Sequence, residues 1–154
     1  MLAALLLAAC DEAPRQTARN GPAPEIAALD LDGRPVRLAD YAGKVLIINF
    51  WLGGCAACVQ ELPVIEAVYR EHQGDGVVVL AVNVGGNADM ARQLAAERGN
   101  GFDNAVDELS LTAIRYEVGV FPTVVVIDRA GKLRARLVGQ IPKSTLAAKV
   151  AALL

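Results

Sequence analysis

Three stretches of this chain are apolar at nearly every position: Val45-Leu46-Ile47-Ile48-Asn49-Phe50, Val77-Val78-Val79-Leu80-Ala81-Val82-Asn83-Val84 and Thr123-Val124-Val125-Val126-Ile127-Asp128. Each is short and rich in β-branched residues, which reads as strand rather than helix. A strand with one face in water alternates apolar and polar positions. These do not, so both of their faces must be covered. Helical spacing fills the segments between them, and strands alternating with helices make a sheet with helices packed on it. At 154 residues the chain supports one such domain with a real core.

The flanking segments add antiparallel strands, so the sheet should be mixed. Leu29-Asp30-Leu31-Asp32-Gly33-Arg34-Pro35-Val36-Arg37-Leu38 alternates around an Asp-Gly turn, a hairpin signal. A second turn, Arg129-Ala130-Gly131-Lys132, leads into Leu133-Arg134-Ala135-Arg136-Leu137, whose alternation fits a half-exposed strand. A helix from Cys55 carries Val59, Leu62, Ile65, Val68 and Tyr69 at steps of three and four, although Pro63 removes one backbone donor from it. Asn87 is a good N-cap for a helix to about Arg98, with Met90, Ala91, Leu94 and Ala95 inward and Gly99 as its stop. Asn104-Ala105-Val106-Asp107 fits an edge strand, Ser110 a cap for a helix to about Tyr116, and Ser144 the start of a final helix with Leu146, Val150, Leu153 and Leu154 on one face.

The chemistry sits where the first apolar strand ends. Trp51-Leu52-Gly53-Gly54-Cys55-Ala56-Ala57-Cys58 places two cysteines three apart at a strand-to-helix junction. Cys55 falls at the helix N-terminus, where unpaired backbone N–H groups and the helix dipole favour a thiolate. Cys58 lies one turn on, within reach of a disulfide. Ala57 keeps an N–H that could point at the Cys55 sulfur, and no basic residue lies between or beside the cysteines. Two packing cysteines are the bland alternative, which explains neither the spacing nor the helix start.

Composition narrows the partners. A formal net charge of −2 carries no basic excess, so no nucleic-acid partner is expected. Three cysteines are too few for a disulfide scaffold, and structural zinc would need a second ligand pair. No metal and no cofactor are expected. The single histidine, His72, falls near the end of a helix, as a solvated residue rather than a ligand or base.

Met1–Ala9 is apolar but far shorter than the ~20 residues that span a bilayer. Its length suits a signal-peptide core. Leu7-Ala8-Ala9-Cys10 resembles the bacterial lipobox, which implies lipidation of Cys10 and, with Asp11 next, retention at the inner membrane. An ordinary secretory signal or an idle cysteine is the alternative. The expected organisation is a signal over 1–10, a flexible tether over 11–24 and the folded domain over 25–154.

Trp51–Cys58 with Glu61 and Pro63, followed some sixty residues later by Val120-Phe121-Pro122-Thr123, resembles the thioredoxin superfamily. Within it the chain is similar to the TlpA/ResA-like group of membrane-anchored thiol-disulfide oxidoreductases. The resemblance implies a thioredoxin-like three-layer α/β/α fold with a central mixed β-sheet, an N-terminal hairpin and a helix-strand insertion between Val84 and Tyr116. It covers roughly Pro22 to Leu154. Two departures concern the chemistry. The group usually carries Trp where this chain has Gly54, and proline where it has Ala56-Ala57, so the group's redox tuning does not carry over.

That resemblance implies roles residue by residue. Cys55 is the attacking nucleophile and Cys58 the resolving thiol of a redox-active disulfide. Glu61 manages the thiol proton, because Asn49 stands where thioredoxin has a buried Asp; a solvated helix glutamate is the alternative. Pro122 matches the superfamily's cis-proline and exposes the backbone of Phe121 to an extended substrate segment, while Phe121 offers either an apolar contact or ordinary packing. Trp51 packs beneath the turn. The implied function is reduction of protein disulfides outside the cytoplasmic membrane, of the cytochrome c maturation or oxidase assembly type. Proteins with disulfides or thiols are the implied substrates and a membrane component the electron donor. The domain is expected to be a monomer on a lipid anchor, or soluble in the periplasm. A copper chaperone on this fold looks to need a wider cysteine spacing and a late histidine, and a thiol peroxidase a Thr-x-x-Cys setting that is missing here.

Overall fold

The computed structural model describes residues 16–17, 21–99 and 101–154; the expected signal over 1–10 and the lipidation of Cys10 lie outside them. The elements follow as β1 (Gln16–Thr17), β2 (Ala28–Asp30), β3 (Pro35–Val36), β4 (Val45–Trp51), α1 (Ala56–His72), β5 (Val77–Val84), α2 (Ala88–Arg98), β6 (Asp103–Asp107), α3 (Leu111–Arg115), β7 (Thr123–Ile127), β8 (Leu133–Val138) and α4 (Lys143–Ala151). Among the described residues the strands form one eight-stranded sheet in the order β1-β8-β7-β4-β5-β6-β2-β3. Only β4–β5 and β5–β6 run parallel; the other pairs are antiparallel. The sheet is therefore mixed, with β4 at its centre.

Strand alternation divides the core in two. Val45, Ile47 and Trp51 of β4 face α1, α2 and α4, which contribute Cys58, Leu62, Ile65, Val68, Ala91, Leu146 and Val150. Leu46, Ile48 and Phe50 face the other way, onto Ala113 and Tyr116 at α3 and onto Ala23, Ile26, Val36 and Tyr41 from the N-terminal segment. Each fully buried branched side chain of this kind contributes roughly 1.5–3 kcal/mol. Both faces of the apolar strands are covered, as their lack of apolar–polar alternation requires.

The structure differs from the sequence pattern at four places. β6 is not an edge strand: the β2–β3 hairpin adds onto it, with Leu29 opposite Val106. Ser110 does not cap α3. It sits at φ 57° with no side-chain cap, and the buried Asp107 carboxylate takes the Ala113 N–H at 2.8 Å instead. Met90 and Val59, expected inward, are 40% and 44% exposed. Their helices dock on Ala91 and on Leu62, Ile65 and Val68, which turns these two side chains toward each other's gap rather than into the sheet. Finally, ordered chain precedes Glu25. Pro22 bridges Lys132, the Ala23 N–H donates to Gly131 O at 2.9 Å and the Tyr116 hydroxyl donates to Pro24 O at 2.6 Å. These bonds join residues 22–24 to the folded domain.

Candidate active site

β4 ends at Trp51, and Leu52, Gly53 and Gly54 carry the chain out of the sheet into α1. Gly54 takes φ +74°, a left-handed value that L side chains rarely adopt, and the Cys55 N–H donates back to Leu52 O at 3.3 Å. Cys55 then adopts extended backbone as the N-cap of α1, and its Sγ accepts the Cys58 N–H at 3.1 Å. That is the position a serine or aspartate oxygen takes in an ordinary N-cap. The donor is the third helical N–H, that of Cys58, and not that of Ala57. The two cysteines are joined in a disulfide with Cα atoms 5.3 Å apart. Cys58 is 3% exposed beneath it, whereas Cys55 is half-buried at the surface. The accessible sulfur is thus the one facing the helix N-terminus, where negative charge is favoured.

Glu61 follows Cys58 by three residues on the same side of α1 and is 1% exposed, not a solvated helix glutamate. Its Oε1 accepts the Ile141 N–H at 3.2 Å, and Oε2 is buried with no protein partner. Burial pushes the carboxyl up to about 7; the Ile141 N–H only partly offsets that by favouring the anion. Asn49 is fully buried on the same face of the sheet, both of its amide atoms without a protein partner, and an amide does not titrate. Glu61 is therefore the group near Cys58 able to take or give a proton at neutral pH.

The Phe121–Pro122 peptide bond is cis. The β4–β7 register pairs Phe50 with Thr123, so Pro122 comes level with Trp51 at the end of the sheet from which the cysteine loop leaves. Pro122 is buried, with its carbonyl taking the Gly139 N–H at 2.9 Å. Phe121 is half-buried and packs against both halves of the core. Trp51, 6% exposed, packs with Cys58 and Leu62 under the turn, its indole N–H buried without a protein partner. His72 is not brought to the site. It ends α1, roughly 24 Å along the helix from Ala56, where its Nδ1 lies 3.3 Å from Asp75 Oδ2.

Two features were not assigned to the site from the sequence. Ile141, Glu61's partner, lies in the β8–α4 connection and carries no motif. Beside the disulfide is a cavity of about 210 Å³ lined by Trp51, Leu52, Gly53, Cys58, Val59 and Met90, among others. The signal for it was that Val59 stands one helical turn from Cys55 and so shares its face.

Arranged this way, an accessible sulfur, a buried sulfur and a buried carboxyl can exchange a disulfide and move the accompanying proton. Known proteins agree. Residues 20–136 match the AhpC/TSA family. The thiol-disulfide oxidoreductase ResA of Geobacillus thermodenitrificans is 36% identical over 124 residues, 80% of this chain and 71% of its own. ResA of Bacillus subtilis is 28% identical over 124 residues, 69% of its own chain. A Chlorobium tepidum structure solved under the name thiol:disulfide interchange protein DsbE aligns with a TM-score of 0.79 at 30% identity, over 87% of this chain and 96% of that one. A DsbF homologue from Corynebacterium diphtheriae reaches a TM-score of 0.80 at 22% identity over 98% and 100%, a likeness of fold. With the disulfide, the buried carboxyl and the cis-proline at one end of a thioredoxin-like sheet, the chain belongs to the AhpC/TSA family as a ResA-like thiol-disulfide oxidoreductase.

Proposed function

We propose that this oxidoreductase works as a reductase of protein disulfides outside the cytoplasmic membrane, held at the membrane by a lipid on Cys10. The observation that carries the exchange mechanism is the asymmetry of the pair. Cys55 is accessible at the helix N-terminus, and Cys58 is buried one turn on, three residues from Glu61. In the dithiol form the Cys55 thiolate attacks one sulfur of a substrate disulfide, forming a Cys55–substrate disulfide and releasing the other substrate sulfur as a thiolate. Glu61 accepts the Cys58 proton. The Cys58 thiolate then attacks Cys55, the second substrate thiolate leaves, and the Cys55–Cys58 disulfide remains. Two electrons pass from the pair to the substrate, and a membrane dithiol donor returns them.

Direction and place rest on different observations. Cys55 receives a backbone N–H and has no basic residue beside it in sequence, an environment that stabilises its thiolate less than a cationic one does. That favours a reducing pair. Leu7-Ala8-Ala9-Cys10 supports the anchor, and the resemblance of Trp51–Cys58 and Val120–Thr123 to the TlpA/ResA-like group supports clients whose cysteines must stay reduced in an oxidising compartment, of the cytochrome c maturation or oxidase assembly type.

Replacing Cys58 with Ala in the native host leaves the Cys55 mixed disulfide with no resolving thiol. The expected result is a set of client proteins trapped on Cys55 and released by dithiothreitol. No trapped client, together with tight copper binding by the unsubstituted protein, would overturn the oxidoreductase mechanism. A redox midpoint near about −120 mV, that of a strong oxidant, would overturn the direction. An unmodified Cys10 in the mature protein, read by mass spectrometry, would remove the anchor.

A further inference from the structure

The chain enters the domain at the end of the sheet that carries the cysteines. β1 runs antiparallel to β8, with Gln16 opposite Leu137 and Thr17 opposite Arg136, so its first residue lies toward Val138. Val138 pairs with Thr123, and the Gly139 N–H donates to the carbonyl of the cis-proline, Pro122, at 2.9 Å. Gln16 therefore stands at the active-site end. Cys10 precedes it by six residues, a length that spans at most about 21 Å. Turning the opposite end of the domain toward a lipid on Cys10 would take the chain back along the sheet, about 23 Å for the seven residues of β4 alone. The chain between Cys10 and Gln16 is too short for that.

The same end carries large apolar side chains in solvent. β6 runs parallel to β5, and β5 to β4, so the chain leaves β6 at the cysteine end. Leu109 and Leu111 follow at once and are 76% and 43% exposed; Ile114, one turn further along α3, is 67% exposed, and Val120, two residues before Pro122, is 55% exposed. Thr112, Ala113 and Tyr116 take the inward positions, with Tyr116 packed on Phe50 near the end of β4, which leaves Leu111 and Ile114 together on the outer face of α3. Apolar residues gathered and exposed in this way mark a surface that meets a partner or a membrane.

From the point of chain entry and this patch we infer that the domain rests on the phospholipid bilayer through Leu109, Leu111, Ile114 and Val120, with its active-site end turned to the membrane. The inference rests on the lipidation of Cys10 proposed above. Two observations favour a lipid surface over a protein partner. The short chain before Gln16 holds this end, and not the other, close to the lipid. Leu109 and Ile114 also project so far into solvent that a fluid surface can bury them without a shaped groove. Glu108 and Glu117 offset Arg115 and Arg136 in charge around the patch, so the contact is apolar rather than electrostatic. Membrane binding scales with the apolar area buried, and this area is small. The anchor therefore supplies the affinity and the patch selects the orientation. In that pose Cys55 faces the layer that holds the dithiol donor.

The test uses the full chain purified from host membranes and placed in vesicles of phosphatidylethanolamine and phosphatidylglycerol, with or without bromine on the acyl chains. Bromine quenches an indole that enters the bilayer. L109W and I114W put the probe in the patch, and Q73W puts it beyond the far end of α1, at the opposite end of the sheet. All three positions are exposed, so the variants should fold, and the buried Trp51 gives a constant background. L109W and I114W are expected to shift their emission to the blue and to lose most of it on the brominated vesicles, and Q73W to do neither. High salt should leave this unchanged, and L109E should abolish the quenching of I114W. Equal quenching at all three positions, or at none while the chain stays on the vesicles, would overturn this inference and leave the anchor standing. A Cys10 without lipid, read by mass spectrometry of the purified chain, would overturn the anchor and this inference together. Quenching of I114W that survives L109E, or that salt removes, would take the apolar patch out of the contact. A photo-crosslinker at position 114 that captures a protein in host membranes, with no quenching in the vesicles, would give the patch to that protein instead.

Discussion

The Ile141 N–H holds one oxygen of Glu61 at 3.2 Å and leaves the other buried without a protein partner. A carboxyl with a single backbone donor and no cation is poorly paid for its burial, and its folded-state value rises to about 7 from an ordinary 4.5. Between those values the folded protein keeps a proton that the unfolded chain has released. Stability from this group is full below pH 4.5 and is lost as pH rises through about 7, by roughly 3 kcal/mol in all. E61Q cannot ionise. Denaturant unfolding from pH 4.5 to 8 should show the unsubstituted protein losing that much more stability than E61Q. Parallel profiles would mean that Glu61 ionises at its ordinary value.

The same carboxyl sets a kinetic expectation. Resolution of the Cys55 mixed disulfide needs the Cys58 proton removed, so its rate should rise with pH through about 7, the value at which Glu61 becomes able to accept it. E61Q should slow resolution by about a hundredfold while leaving the first attack by Cys55 much less affected. Single-turnover mixing with a model disulfide separates the two phases. Equal slowing of both would make Glu61 a structural residue rather than a proton carrier.

What could be seen from sequence alone follows from distance along the chain. The central strands were legible because burial on both faces writes a nearly unbroken apolar run at Val45–Phe50, Val77–Val84 and Thr123–Ile127. The cysteine pair was legible because its spacing and its helix start are local. β6 was misplaced because its second neighbour, β2, lies far earlier: Leu29 pairs with Val106, and nothing near Val106 records it. Glu61 could be suspected, but its partner Ile141 is eighty residues away. Met90 and Val59 share the 3.6-residue period of true core positions. Only the docking of two helices decides whether such a residue faces the sheet or the cavity.

Asp107 does for α3 what Ser110 does not. Its Oδ2 takes the Ala113 N–H at 2.8 Å in a fully buried setting, whereas Ser110 makes no side-chain cap. D107A should lower the unfolding free energy by about 2 kcal/mol, the upper range for a lost cap. S110A should change it by only a few tenths. Chemical denaturation of the two variants gives the comparison, and a larger loss for S110A would restore the serine as the cap.

Gly86, in the β5–α2 turn, has no room for a side chain. A Cβ there would come within 1.6 Å of Asn83 Oδ1, and Asn83 is fully buried with its backbone held level with Trp51 in the β4–β5 ladder. The short, fully buried Asn83 side chain has little room to step aside, so G86A should cost roughly 3 kcal/mol. Removing the obstructing amide should relieve it: N83A/G86A is expected to be more stable than G86A alone, a coupling between contacting residues. Simple addition of the two single effects would show that the turn, not the amide, resists the methyl group.

Gly54 poses the opposite case, since a Cβ there meets nothing within 4 Å and only its backbone, at φ +74°, objects. An L residue held in that left-handed region costs roughly 1–2 kcal/mol whatever its side chain. G54A and G54W should therefore lose similar amounts of stability. The tryptophan of the resembling group thus cannot be restored here without either that strain or a different turn into α1. Thermal unfolding of the two variants decides the point. A G54W protein as stable as the parent would show that the loop can rebuild itself around an aromatic residue. A G54A protein much less stable than G54W would mean that the tryptophan gains packing, which the open space at this position does not suggest. The expected equality ties the bare Gly53-Gly54 backbone, and the cavity beside it, to the conformation by which this chain enters its cysteine helix.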